Sequence, residues 1–268
     1  MGSQNSQLLK KSIQISVATI YNRHPKHYRF ISEIVKSIYS HEKGKQINIL
    51  VFGCSIGLEP LSLVQEHFTE SNYLIDAVDI SDKALKKAKS INSHKRIEFF
   101  NSKFLNKSKK YDVIFANSVF CKHPSPNRLD ISKSYPFDMF QDSLGELIDQ
   151  LKVGGIFMIY NSNYSVSETI FSDSLLDITN SECRNRGFVP LYGKKGKLNF
   201  ASLESIRCFL FKKIMTDSSN LGFSSEFPSY IPKRYLKDSW TSKLLFKILK
   251  KLSFLLFSYG SSIFLRTK

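Results

Sequence analysis

Ile47–Glu59 reads INILVFGCSIGLE, and a little further on Ile75–Ser81 reads IDAVDIS. Ile47, Ile49, Leu50, Val51 and Phe52 form a short apolar run, rich in β-branched residues, of the kind buried on both faces of a parallel sheet. Gly53 and Gly57 carry no Cβ, so they permit a tight turn and let a ligand approach the backbone where the next helix begins. Leu74 to Val78 make a second buried-strand candidate that ends on Asp79, a carboxylate placed to accept hydrogen bonds from a ribose diol. An acid about 20 residues beyond a phosphate-type turn is the recurrent ribose clamp of nucleotide-binding sheets. The turn does not have the GxGxxG spacing of a nicotinamide or flavin site. A GxxxxGK[ST] sequence is also absent, which argues against a P-loop. The plainer alternative is a structural βαβ unit whose glycines only close a turn.

The same alternation continues downstream. Strands are predicted near Ile97 to Phe100, Tyr111 to Asn117 and Gly155 to Tyr160, while SDKALKKAKS and FDMFQDSLGELIDQLK have helical periodicity. Alternating strands and helices point to an open α/β sheet. Gly154 and Gly155 are expected to turn a helix end into the strand Ile156 to Tyr160. Upstream, Ile13 to Tyr21 and Tyr28 to Tyr39 read as helices interrupted at NRHPKH, where Pro25 disfavours continuity. Later, GFVPLYGKKGKLNF predicts a hairpin around Gly193 to Gly196, and Leu203 to Met215 reads as a helix.

The 268 residues carry 39 Lys plus Arg against 23 Asp plus Glu, a net charge of +16. That balance attracts nucleic acid, anionic membrane or acidic substrates without choosing among them. Cys54, Cys121, Cys183 and Cys208 lack CxxC spacing and the histidines form no HExxH pattern, so no metal site is expected. These cysteines look like a reducing-compartment set. MGSQNSQLLKK has no signal-peptide apolar core, so a cytoplasmic location is expected. Near the C-terminus, Lys243, Lys247, Lys250 and Lys251 group on one helical side, with Leu245, Ile248, Leu249, Leu252 and Leu256 on another. This basic amphipathic tail either packs on the domain or touches anionic membrane or a partner.

VFGCSIGLEP, VDIS, YDVIFANSVF and LKVGGIFMIYN, in that order, resemble the class I S-adenosylmethionine-dependent methyltransferases over roughly Ile47 to Asn161. The resemblance implies a Rossmann-like α/β fold, a mostly parallel seven-stranded sheet flanked by helices, with S-adenosylmethionine as cofactor. It also implies a helical lid or cap over residues 1–45 and a cofactor-binding methyltransferase domain with late substrate-site additions over 46–232, followed by the basic amphipathic tail over 233–268. GCSIGLEPLSL is similar to the turn of chemotaxis-receptor glutamate methyltransferases. That likeness implies that Gly53, Cys54, Ser55 and Gly57 line the methionine and ribose side, with Glu59 at the polar end and Asp79, followed by Ile80, at the ribose. Family positions further imply an adenine contact at Ser102, Lys103 and Phe104, with Phe104 stacking. Many relatives carry an acid where Lys103 stands. The alternative at this point is a solvated Lys103 beside a core Phe104.

Asn117 and Ser118 end the fourth strand, where side chains face the crevice that ligands use in open α/β sheets. His123 follows in VFCKHPSP and is the candidate base for an alcohol, phenol or amine, with Lys122 beside it to attract a carboxylate; an ordinary loop role is the alternative. Tyr21, His24, His27 and Tyr28 either form a lid or pack the N-terminal helix on the sheet. ANSVF lacks the Asn/Asp-Pro-Pro-aromatic arrangement of amino-methylating DNA enzymes, and no recognition module is visible. The expected acceptor is therefore an oxygen or nitrogen of a small organic metabolite. A protein carboxylate, an RNA or protein substrate, and a noncatalytic cofactor-binding role are the alternatives.

Overall fold

Pro25 sets the first boundary. Its fixed φ and missing N–H suit the first helical turn, and helix α1 (Pro25–Ile38) starts there. The computed structural model describes residues 19–42, 44–122, 129–183, 189–199 and 208–215. The expected helix over Ile13 to Tyr21 falls partly outside these residues, and Thr19 to Arg23 is loop and turn. The C-terminal tail lies wholly outside them.

Strand β1 (Ile47–Phe52) is followed by a short helix α2 (Leu58–Ser62) that runs into a π-helical turn, Leu63–His67. Next come β2 (Tyr73–Asp79), α3 (Asp82–Ile91), β3 (Ile97–Asn101), β4 (Tyr111–Asn117), α4 (Phe137–Gln150) and β5 (Leu151–Tyr160). Ser81 caps α3, its side chain accepting from the Ala84 amide, which satisfies one of the orphan donors of the first turn. Two late strands complete the sheet, β6 (Leu175–Asp177) and β7 (Cys208–Lys213).

The strand order is β3-β2-β1-β4-β5-β7-β6. The first five strands pair in parallel, and β7 inserts antiparallel between β5 and β6. Together with the helices this is the Rossmann-like class I methyltransferase fold that the sequence resemblance implies. β1 reverses the winding at the centre, so ligands meet the sheet at the carboxyl ends of β1 and β4, where crevices open in such folds.

Period-two alternation divides the sheet between two cores. Ile49, Val51, Val113, Phe115, Ile156 and Met158 face α1, where Tyr28, Ile31 and Val35 complete one layer. Leu50, Phe52, Ile114, Ala116, Phe157 and Ile159 face α4 with Phe140, Leu144 and Leu147.

Two expectations need correction. Cys208–Lys213 is a strand, not part of a helix, because it fills an interior place in the sheet and pairs on both sides. Gly154 and Gly155 do not start β5. The strand begins at Leu151, and pairing jumps from Tyr111↔Leu151 to Val113↔Ile156, so the glycines occupy a bulge, with Gly154 at φ +80°. The hairpin around Gly193 to Gly196 is present, bridged by Tyr192↔Leu198.

Candidate cofactor site at the carboxyl ends of the strands

The turn after β1 is built on left-handed backbone: φ is +80° at Gly53, +51° at Ser55 and +81° at Gly57. The amides of Gly53 and Cys54 both donate to Val78 O, at 2.8 and 2.9 Å, which lays the turn across the end of β2. Asp79 finishes that joint. Its Oδ2 accepts from the Ser55 amide at 2.8 Å and its Oδ1 from the Ser81 amide at 2.9 Å. The carboxylate predicted to hold a ribose is thus held by two backbone donors, and each oxygen keeps a lone pair.

The glycines answer to protein neighbours. A Cβ on Gly53 would lie 2.1 Å from Val119 Cγ1, and one on Gly57 would lie 2.9 Å from the Phe99 ring and 3.0 Å from Ala88. Gly53 therefore lets the loop after β4 close onto the turn, and Gly57 lets the turn sit on α3 and β3.

Glu59 lies in the first turn of α2, where an acid is favoured by the helix dipole. Asn117 Nδ2 donates to Glu59 Oε1 at 2.6 Å, joining the ends of β1 and β4. Burial raises the Glu59 carboxyl to about 7, against the opposing pull of hydrogen bonds from Asn117 and Tyr28 and of the Arg23 charge. Asn117 Oδ1 is buried with no partner among the described residues. Cys54 is buried beside this cluster; desolvation, with Asp79 and Glu59 nearby, pushes its thiol well up, so it stays protonated.

Strained backbone recurs along the crevice. Ser118 after β4 and Asn161 after β5 have φ of +59° and +57°, values that few non-glycine residues adopt. The Ser118 amide donates to Tyr160 O at 2.7 Å, and Asn161 Nδ2 donates to Ser118 Oγ at 3.2 Å. Asn163 extends the network: its Oδ1 accepts from the Lys122 amide at 2.5 Å and its Nδ2 donates to Pro190 O at 2.9 Å. Asn161 and Asn163 are fully buried. They tie the loop after β4 to the loop after β5 and to the later hairpin, and the sequence reading passed over them. The available signal was the polar cluster NSN directly behind an apolar strand. His123 lies outside the described residues, one position beyond the Lys122 anchor.

The third-strand positions divide. Asn101 Nδ2 donates to Ile80 O at 3.1 Å and to Asp82 Oδ1 at 2.8 Å, so Ile80 is held against the end of β3. Ser102 is buried, and its Oγ has no partner among the described residues. Lys103 and Phe104 point outward. Phe104 is 69% exposed and the Lys103 ammonium sits 4.7 Å from its ring centroid. Phe104 lines a groove of about 370 Å³ with Asp82, Leu85, Lys86, Lys89, Phe100 and Asn101. That groove includes none of the Gly53 to Glu59 turn. The alternative of a core Phe104 is thus corrected, because the ring stands at the open edge of the sheet.

At the other end Tyr28 is buried edge-on to Phe115 at 5.5 Å and to His67 at 5.4 Å, and His27 Nε2 lies 2.6 Å from Cys183 O. Tyr21 reaches Gln65 and Glu66. His24 is buried over Tyr160, ring centroids 4.3 Å apart, and its Nε2 has no partner among the described residues. Burial, with help from His27 and Arg23, lowers it to about 3, so it is neutral. These contacts pack α1 on the sheet. No group of three His, Cys, Asp or Glu that could hold a metal occurs among the described residues. None of the described helices is long and apolar enough to cross a membrane.

No protein-family model matches the sequence, and no curated protein matches it significantly. Among solved structures, the chain is similar to the plantazolicin methyltransferase BpumL in complex with SAH, with 19% identity over 51% of this chain and 48% of that one, at a TM-score of 0.34. It is also similar to PKMT2 from Rickettsia typhi, with 17% identity over 49% of this chain and 25% of that one, TM-score 0.34. A third is the magnesium protoporphyrin IX methyltransferase ChlM from Synechocystis PCC 6803 with bound SAM, with 13% identity over 73% and 86% and a TM-score of 0.38. The match spans about half the length of BpumL. At such identities and TM-scores, the fold and its functional reading rest on this chain's own strand order and site geometry.

Proposed function

We propose that this chain binds S-adenosylmethionine and transfers its methyl group to an oxygen or nitrogen of a small organic molecule. The observation that carries the reading is the joint of Asp79 with the Ser55 turn at the switch point of a 3-2-1-4-5-7-6 sheet. The residues present suit that cofactor. Asp79 has lone pairs left for the ribose hydroxyls. Asn117 Oδ1, buried beside Glu59 with no partner among the described residues, offers a second acceptor for an ammonium group, and Ser102 Oγ, likewise without a partner among them, is available where the adenine edge is expected. Buried polar atoms without partners are uncommon in folded proteins and call for an explanation such as a ligand.

When bound, the cofactor supplies an electrophilic methyl on a sulfonium. The chain's part is to hold the acceptor atom in line and keep water out. The Asn161 and Asn163 network serves that end by fixing the two loops on the acceptor side. His123, next to the anchored Lys122, is the residue proposed to take the acceptor's proton.

Calorimetric titration with S-adenosylmethionine and S-adenosylhomocysteine tests the reading. Saturable binding by the wild type, weakened at least tenfold by Asp79→Ala, supports it. Absence of binding by well-folded wild type overturns it. Binding without turnover over a broad acceptor panel that includes protein carboxylates would favour a noncatalytic cofactor-binding role.

A further inference from the structure

From Asp82 to Lys103 the sequence holds six lysines and one arginine against two acids. Arg96 is internal, its guanidinium bound to the carbonyls of Val64, Phe68 and Glu70. The lysines are different: Lys83, Lys86, Lys87, Lys89, Lys95 and Lys103 are all exposed, and none forms an ion pair among the described residues. Their neighbours show the contrast, since Lys107 pairs with Glu146, Lys109 pairs with Asp76, and Lys110 donates to Asp149 O. A charged edge deters strand pairing, and β3 is an edge strand, which accounts for Lys95 and Lys103 at its two ends. The four lysines of α3 guard no edge.

Helical spacing puts Asp82, Leu85, Lys86 and Lys89 on one stripe of α3, and that stripe is one wall of the 370 Å³ groove. The rest of its lining is Asn101, Phe100 and the exposed Phe104. A cationic wall and an exposed ring in one groove are the arrangement that takes single-stranded nucleic acid. Lysines track the phosphates while a ring offers its face to an unstacked base. The site is concave, which suits a threaded strand better than the plane of a bilayer, and its only acid, Asp82, is already engaged by Asn101.

We propose that the groove between α3 and the end of β3 is a docking surface for single-stranded nucleic acid, lying outside the cofactor turn. This goes beyond the methyl-transfer reading and does not depend on it, so its test is run without cofactor. The probe is a fluorescein-labelled twelve-nucleotide oligouridine, with oligothymidine as its DNA counterpart, titrated with the full chain and followed by anisotropy at several salt concentrations.

The expected result is saturable binding whose logarithm falls linearly with the logarithm of salt concentration. Lys86→Glu with Lys89→Glu should weaken it at least tenfold at low salt and flatten the slope by about 0.7 for each phosphate that is no longer neutralised. Phe104→Ala should weaken it about fivefold or more, as loss of a stacking platform does. Lys133→Glu, a charge reversal at one exposed position in another loop, is the control for the single reversals Lys86→Glu and Lys89→Glu. Equal weakening by Lys133→Glu would show diffuse attraction and overturn the proposal, as would binding indifferent to both groove lysines. Complete displacement by polyglutamate or by phosphatidylserine vesicles at matched charge would overturn it in favour of an acidic protein or a membrane. If the double reversal fails to fold, Lys86→Gln with Lys89→Gln gives the same reading with half the charge change.

Discussion

The Ser55 amide donates to Asp79 Oδ2 at 2.8 Å across the tops of β1 and β2, with Ser55 held at φ +51°. The bond lets one carboxylate serve as structural joint and candidate ligand clamp together. Asp79→Asn keeps the shape but turns an acceptor into a donor, leaving one of two backbone N–H groups facing an NH₂. A loss of about 1–3 kcal/mol is expected for such a mismatch, read as a lower urea midpoint with unchanged slope. Cofactor affinity should fall further than this stability loss explains if Asp79 also holds the ribose.

Gly53→Ala should be among the most damaging single-methyl additions in the chain. The new Cβ would meet Val119 Cγ1 at 2.1 Å while the backbone stays at φ +80°. The left-handed conformation alone costs an alanine about 1–2 kcal/mol, and overpacking adds a similar amount. Adding Val119→Ala should recover the packing part and leave the backbone part, so a double-mutant cycle by thermal unfolding should show partial rescue. Full additivity of the two changes would contradict the close approach.

Arg96 carries a quite different load. It lies beneath the π-helical turn and donates to Phe68 O and Glu70 O at 2.5 Å and to Val64 O at 2.9 Å. A guanidinium fork can meet three carbonyls at once and an ammonium cannot match that geometry. Arg96→Lys should therefore cost about 2 kcal/mol or more, since buried carbonyls lose charged partners. Hydrogen exchange of the Leu63–His67 amides should rise with it. A surface-like effect of a few tenths would show that the clamp is dispensable.

The legibility of this chain followed burial and length. β1, β2, β4 and β5 are covered on both faces, so they read as apolar runs, and the acid closing β2 read as a ligand because strand ends in such sheets face the crevice. β7 misled because CFLFKK is too short for its period to separate strand from helix, and its strand character comes from β5 and β6 pairing with it. Three-residue β6 left no pattern at all. Asn161 and Asn163 went unread because their partners, Ser118, Lys122 and Pro190, are distant in sequence. Conversely Gly53 and Gly57 were legible as a turn, while the side chains that press on them were not.

Glu59 and His24 should pull stability in opposite directions as pH changes. Burial raises Glu59 from 4.5 to about 7, so between those values the native state holds a proton that the unfolded chain has released. Stability from Glu59 is full below about pH 4.5 and is lost as pH rises to about 7. Burial lowers His24 from 6.5 to about 3, so below pH 6.5 the unfolded chain gains a proton that the native imidazole refuses, and stability falls with acidification. At about 1.4 kcal/mol for each unit of displacement, the Glu59 effect reaches about 3 kcal/mol and the His24 effect about 5 kcal/mol, and in the wild type they oppose one another between pH 4.5 and 6.5. The variants separate them. Glu59→Gln should unfold at a higher temperature than wild type at pH 8 and lose stability more steeply on acidification. His24→Phe, which keeps the contact with Tyr160, should lose it less steeply. Parallel pH profiles for wild type and both variants would show that neither group titrates differently in the folded chain. A steeper Glu59→Gln profile with an unaltered His24→Phe profile would confine the pH response to the carboxyl beside Asn117.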